Sequence, residues 1–85
     1  MRMQAGKKYS AITDWLSSRA SMREEMSFGE IEKLIGARLP DSARLYRPWW
    51  GNEVGKHSRQ CQAWQAAGWR VDEIDFVREQ VVFVR

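Results

Sequence analysis

The residue types that bind nucleic acid are concentrated in one part of this 85-residue chain. Residues 39–69 contain four of the five tryptophans. From Arg38 to Arg70 there are six Lys or Arg residues and one histidine against two carboxylates, whereas the rest of the chain has eight Lys or Arg against nine. Cations neutralise phosphates, aromatic rings stack on bases and side-chain amides read base edges. The segment therefore favours a nucleic-acid-binding module, with DNA favoured over RNA.

The candidate site combines three kinds of contact. The predicted phosphate contacts are cations on either side of a Trp-Trp pair, namely Arg44, Arg47, Lys56, His57 and Arg59. Residues 56–58 are predicted to stand at a helix N-terminus, where free backbone N–H groups attract phosphate. The exposed member of Trp49 and Trp50 is expected to stack on a base, and Asn52 and Gln60 are candidates for reading base edges.

The aromatic and amide residues also have interpretations within the fold. Trp49 and Trp50 are adjacent, so one ring can pack inward while the other stays partly exposed, or both can belong to the core. Asn52 follows a glycine and equally suits a turn that needs a positive φ. The sequence does not decide whether Gln60 contacts a ligand or has a structural role. Trp64 is predicted to lie in the core.

We predict neither enzymatic activity nor a cofactor. His57 and Cys61 are four residues apart, but a structural zinc site needs four ligands and the chain has no other Cys or His. The acidic run Asp72, Glu73 and Asp75 alternates between the two faces of a predicted strand, so its carboxylates do not converge on a metal. The sequence also has no Gly-rich phosphate loop.

The composition indicates one cytoplasmic domain that does not enter a membrane. Residues 1–8 are predicted to be a flexible basic N-terminus, and residues 9–85 a single compact domain. The single cysteine fits a reducing compartment, and no apolar run approaches the ~20 residues of a membrane span. A net charge of +3 and a pI near 9.4 favour a polyanionic partner, either nucleic acid or an acidic protein surface. The oligomeric state stays open.

Hydrophobic periodicity predicts four helices, over residues 10–19, 28–35, 41–46 and 57–67. Ser27 and Glu30 form a capping box before the second helix, and Gly36 follows it as a stop. Asp41 is predicted to cap the short third helix. The period then changes to two, which predicts a strand over residues 69–76 with a bulge near Asp72 and a partner strand over 81–84.

This order predicts an α+β fold, a small winged-helix-like domain of three to four helices followed by a C-terminal β-hairpin. A short strand near residues 25–27 could join the hairpin. In such a domain the helix at 57–67 would enter the major groove and the hairpin would lie along the DNA backbone. Other small α+β domains share the order, so it does not by itself establish DNA binding.

A series of short motifs resembles a small uncharacterised domain family of bacteria and phages. The motifs are SFxEIE from Ser27, LPxSA from Leu39, WWxN from Trp49, HSxQ from His57 and AWxxAGWxV from Ala63. The resemblance covers about residues 26–85. Members of that family are single-domain proteins or appendages on larger, often nuclease-type, proteins. The resemblance carries no established activity, but its association with nucleases implies nucleic-acid recognition.

Two functions remain open from the sequence. One is a DNA-binding module, which should lose affinity steeply as salt is raised. The other is a protein-interaction module, such as a phage-encoded inhibitor or an adaptor of a defence nuclease. Trp and Arg also dominate the binding energy of protein interfaces, so composition does not separate the two.

Overall fold

The protein is a small α+β domain in which helices pack on one face of a three-stranded sheet. The computed structural model describes residues 7–52 and 59–85, apart from the side chains of Lys7 and Arg59. The elements follow the order α1 (Ser10–Ser17), β1 (Arg23–Ser27), α2 (Phe28–Ile35), α3 (Asp41–Leu45), α4 (Arg59–Ala66), β2 (Arg70–Asp75) and β3 (Gln80–Val84). Two short 3₁₀ helices, Lys7–Tyr9 and Arg47–Trp50, precede α1 and follow α3. The predicted fold class, α+β, is confirmed.

The second helix begins and ends where its local sequence predicts. The Ser27 hydroxyl accepts the backbone N–H of Glu30 at 3.0 Å, and the Glu30 carboxylate accepts the N–H of Ser27 at 2.8 Å. Gly36 takes the left-handed conformation at φ 70°, which ends the helix without the steric cost of a side chain. The prediction for α3 is wrong in one respect, because Pro40 is its N-cap and Asp41 makes no side-chain capping bond.

The sheet is antiparallel, with β3 in the centre and β1 and β2 at its sides. The register between β2 and β3 shifts between Val71 and Glu73, which confirms the predicted bulge. The strand suggested near residues 25–27 is longer than expected, and all of Arg23–Ser27 pairs with β3. The sheet thus joins two parts of the chain separated by the helices.

A cluster of four aromatic rings, three of them stacked and the fourth tilted, forms the centre of the core. Phe28 and Trp50 stack at 5.2 Å between ring centroids, Trp50 and Trp64 at 6.0 Å, and Phe83 of β3 lies 5.5 Å from Trp64. All four rings are buried. The cluster joins α2, the second 3₁₀ helix, α4 and the sheet. Trp64 is fully buried in it, which confirms its predicted place in the core.

The segment predicted to be a flexible N-terminus, residues 1–8, lies largely outside the described part of the chain. Residues 1–6 lie outside the described part, but the 3₁₀ helix starts at Lys7, inside the segment predicted to be flexible. None of the helices in the described ranges is long and apolar enough to cross a membrane.

Candidate functional site: the hairpin end of the domain

Arg44, predicted to contact phosphate, is used inside the protein. Its guanidinium lies 3.0 Å from the Glu32 carboxylate and 3.4 Å from that of Glu79. It also lies over the Phe28 ring, 5.6 Å from the centroid. The Leu39 N–H and then Arg44 lower the pKa of Glu32, and the hydrogen bond to Glu32 raises the pKa of Arg44. Arg44 thus ties α2 and α3 to the hairpin turn and is not a free cation.

Asn52, predicted to read a base edge, bonds to the edge of β2 instead. Its side-chain amide donates to the Val71 carbonyl at 2.9 Å, and its side-chain oxygen accepts the Val71 N–H at 2.8 Å. The same oxygen accepts the indole N–H of Trp64 at 3.2 Å, and the Asn52 backbone carbonyl accepts the Gln65 amide. The prediction of a base contact is corrected, because these bonds occupy the groups that a base would need.

Gln60 and Trp50 are also internal. Gln60 is 9% exposed and donates its amide to the Trp49 carbonyl at 2.9 Å. Trp50 is 2% exposed and donates its indole N–H to the Ala43 carbonyl at 2.7 Å. Neither side chain is available to a ligand, so the structural alternatives hold for both.

Trp49 is the partly exposed member of the tryptophan pair. Its ring meets Trp50 edge-on at 4.7 Å and Tyr9 at 6.0 Å. Burial raises the pKa of the Tyr9 hydroxyl. Lys56 and His57 lie outside the described residues, and Arg59 begins α4 with a side chain that is not described.

From residue 60 onward, α4 has no charged side chain. Cys61, Ala63 and Trp64 are buried, whereas Gln62 and Ala66 are exposed. Burial raises the pKa of the Cys61 thiol, as expected for a packed and unreactive cysteine. The described part of this helix therefore presents no cation to a phosphate.

The structure reveals a different exposed surface at the hairpin end of the domain. Val77 in the hairpin turn is 95% exposed, Leu45 is 81% exposed and Tyr46 is 59% exposed. Arg47 connects this stretch to the hairpin, because its guanidinium lies 5.2 Å from the Phe76 ring centroid and donates to the Ile74 carbonyl at 3.4 Å. We call Leu45, Tyr46, Arg47, Phe76 and Val77 the hairpin-end surface. Of the nine predicted contact residues, Arg47 is the one that this surface includes.

A groove of about 630 Å³ continues from this surface over the outer face of the sheet. Ile74, Phe76, Val77 and Val82 supply its apolar lining. Its charged lining comprises the four carboxylates and two cations of Glu25, Asp72, Glu73, Asp75, Arg47 and Arg78. We call it the hairpin groove. The acidic excess makes it a poor site for a phosphate backbone.

A sequence signal for this surface existed but was weak. Leu45 and Tyr46 end a five-residue helix just before Pro48, and Val77 lies in a tight turn whose N–H groups Asp75 caps at 3.0 Å. Large apolar residues in such positions have few neighbours to cover them. A search for apolar residues that no helix or strand period can bury would have found all three.

Comparison with known proteins gives a family and no function. The model of one domain family matches residues 9–85, which is nearly the whole chain. No curated protein and no solved structure matches. Among the described residues no group of three or more His, Cys, Asp or Glu side chains could hold a metal ion. The chain belongs to the family described as Domain of unknown function (DUF7662).

Proposed function

We propose that this protein is a non-enzymatic protein-interaction module that binds a segment of another protein through the hairpin-end surface. The observation that carries the proposal is the position of the exposed apolar side chains. The described part of the chain has four large apolar side chains that are exposed. Leu45, Tyr46 and Val77 belong to the hairpin-end surface, whereas the fourth, Met22, lies at the opposite end of the strands. Exposed apolar groups collected in one region are typical of a binding surface.

The chemistry of the surface suits a protein better than a nucleic acid. Tyr and Arg, together with Trp, are the residue types most enriched among the residues that dominate binding at protein interfaces. Arg47 is held over Phe76 and bonded to the Ile74 carbonyl, so little conformational entropy remains for it to lose on binding. The carboxylates of the adjoining groove would repel phosphates.

Nucleic-acid binding is the second candidate, and it rests on a different region. Trp49 is partly exposed beside Tyr9, and the Lys8 ammonium lies 5.7 Å from the Tyr9 ring. Lys56, His57 and Arg59 come shortly after in sequence. For this second candidate we propose a winged-helix arrangement, with which the element order is compatible. In that arrangement α4 would be the helix that enters the major groove.

The test is selection of a random 12-residue peptide library on the immobilised full chain. The variant Leu45→Ser/Val77→Ser removes two exposed apolar side chains and should fold normally, because neither is buried. Met22→Ser is the matched control, since it removes an exposed apolar side chain at the opposite end of the strands. We expect wild type and control to enrich the same peptides and the double variant to lose them.

Two companion measurements separate the alternatives. Titration with random-sequence duplex and single-stranded DNA at two salt concentrations tests the second candidate. DNA affinity tighter than ~10⁻⁴ M at low salt, together with no enriched peptide, would replace the proposal with nucleic-acid binding. Sedimentation of wild type and double variant tests self-association. Dimers that the double variant abolishes would assign the surface to a second copy of the chain.

A further inference from the structure

Val82 lies on the outer face of the sheet and is buried, although it is not part of the core cluster. Val81 and Phe83 point into the core and are fully buried, so Val82 between them must face the other way. Val82 is nevertheless only 6% exposed, and it lines the hairpin groove.

Two glutamates flank Val82 directly across the sheet. Glu25 of β1 pairs with Val82 on one side, and Glu73 of β2 pairs with it on the other. Neighbouring strands lie ~4.7–4.9 Å apart, so the carboxylates rise on either side of a narrow apolar strip. A long side chain placed on Val82 would have a carboxylate within reach on both sides.

The two carboxylates are available to a new partner. Among the described residues Glu73 has no ion-pair partner. Glu25 lies 3.4 Å from Arg23, but the side chains of both are more than half exposed. Exposed ion pairs of this kind are weak, so a competing cation can displace Arg23 at little cost.

We propose that Glu25, Val82 and Glu73 form a subsite for one lysine or arginine side chain of the protein partner. The aliphatic stem crosses the groove between the two glutamate side chains, above the nearly buried Val82, and the charged head is held between the two carboxylates, as long cationic side chains commonly bury their stems while the head stays in water. This inference rests on the proposed function, since it names the chemistry of the segment that the same surface binds.

The position of the subsite also sets the spacing of the partner's contacts. β3 begins at Gln80, and the turn that carries Val77 comes directly before it. Five residue steps separate Val77 from Val82, so their Cα atoms are at most ~18 Å apart. An extended peptide spans that distance in about five residues. The predicted motif is therefore a Lys or Arg that lies within about five residues of a large apolar residue, on either side.

The inference is tested with the same random 12-residue library and one new variant. Glu25→Gln/Glu73→Gln keeps the size of both side chains and removes two negative charges. Asp14→Asn/Asp41→Asn is the matched control, because it removes the same charge from two exposed carboxylates that do not line the groove. An enriched peptide is then synthesised, and its affinity for each protein is measured by calorimetry at low and high salt.

We expect peptides from wild type to carry the cation and the apolar residue at the stated spacing. The groove variant should bind them about three- to tenfold more weakly, the control should bind them as wild type does, and high salt should reduce the difference. Enriched peptides that are sensitive to Leu45→Ser/Val77→Ser but neutral or acidic, or equally bound by both charge variants, would overturn the subsite and leave the proposed function standing. A selection that enriches no peptide would overturn both.

Discussion

Replacing Asn52 by alanine should destabilise the fold strongly, because its side chain bonds to both β2 and Trp64. The substitution leaves the indole N–H of the fully buried Trp64 and the N–H of Val71 without their acceptor. A buried donor without a partner costs about 1–3 kcal/mol. Asn52 is only half-buried, so water will replace part of the loss at Val71. We therefore expect a loss of about 2–4 kcal/mol, or roughly 10–25 °C in Tm for a domain of this size.

Urea and thermal unfolding measure this loss directly. Gln62→Ala is the matched control, since it removes an exposed amide from α4 and should change stability by no more than about 0.5 kcal/mol. A double-mutant cycle with Trp64→Phe isolates one bond, because phenylalanine has no N–H to leave unpaired. In that background Asn52→Ala should cost about 1 kcal/mol less.

One result would refute this reasoning. If Asn52→Ala has the same melting temperature as the Gln62→Ala control, the bonds from Asn52 to β2 and Trp64 do not stabilise the protein. If the same variant then also loses affinity for DNA, the base-reading role suggested by the sequence is right and our structural assignment is wrong.

Three further predictions concern single side chains. Trp69→Phe should destabilise the protein in urea by about 1–3 kcal/mol less than Trp50→Phe, because the Trp50 indole N–H donates to the Ala43 carbonyl whereas the Trp69 indole N–H has no acceptor among the described residues; equal losses would contradict this. Cys61, buried and with a raised thiol pKa, should react with a thiol reagent no faster than the protein unfolds, and rapid labelling of native protein would show that α4 opens locally. The pKa of Glu32 is lowered in the fold, so its stabilising contribution should be complete above the ordinary value of 4.5 and disappear as the pH falls through the lower native value. The stability difference between wild type and Glu32→Gln should shrink over that range, and a difference independent of pH would contradict the assignment.

The parts of the fold that depend on neighbouring residues were predictable from the sequence. The capping box before α2, the glycine after it and the bulge in β2 each follow from residues a few positions apart. The full length of β1 was harder to predict, because Glu24 and Glu25 are weak strand formers. These residues pair with β3, which lies more than fifty residues further along the chain, so the nearby sequence carries no signal of the pairing.

The candidate site was harder to predict, because residue type does not reveal the partner. Arg44 and Arg47 look equivalent in sequence, yet Arg44 meets a carboxylate twelve residues away, whereas Arg47 remains exposed beside the hairpin. Asn52 meets Val71 across nineteen residues. Contacts at such separations are set by how the elements pack, so a cluster of cations and amides in the sequence did not become a cluster on the surface.

The bonds that Asn52 and Arg47 make to β2 have a consequence for the behaviour of the protein at high concentration. An unpaired edge strand is a template for strands from other molecules and promotes aggregation. At β2 these two side chains occupy backbone groups of Val71 and Ile74, as a fourth strand would. At β1 the charged residues of the strand oppose such pairing. Loss of Asn52 should therefore lower solubility as well as stability, and the variant should aggregate through its sheet edge.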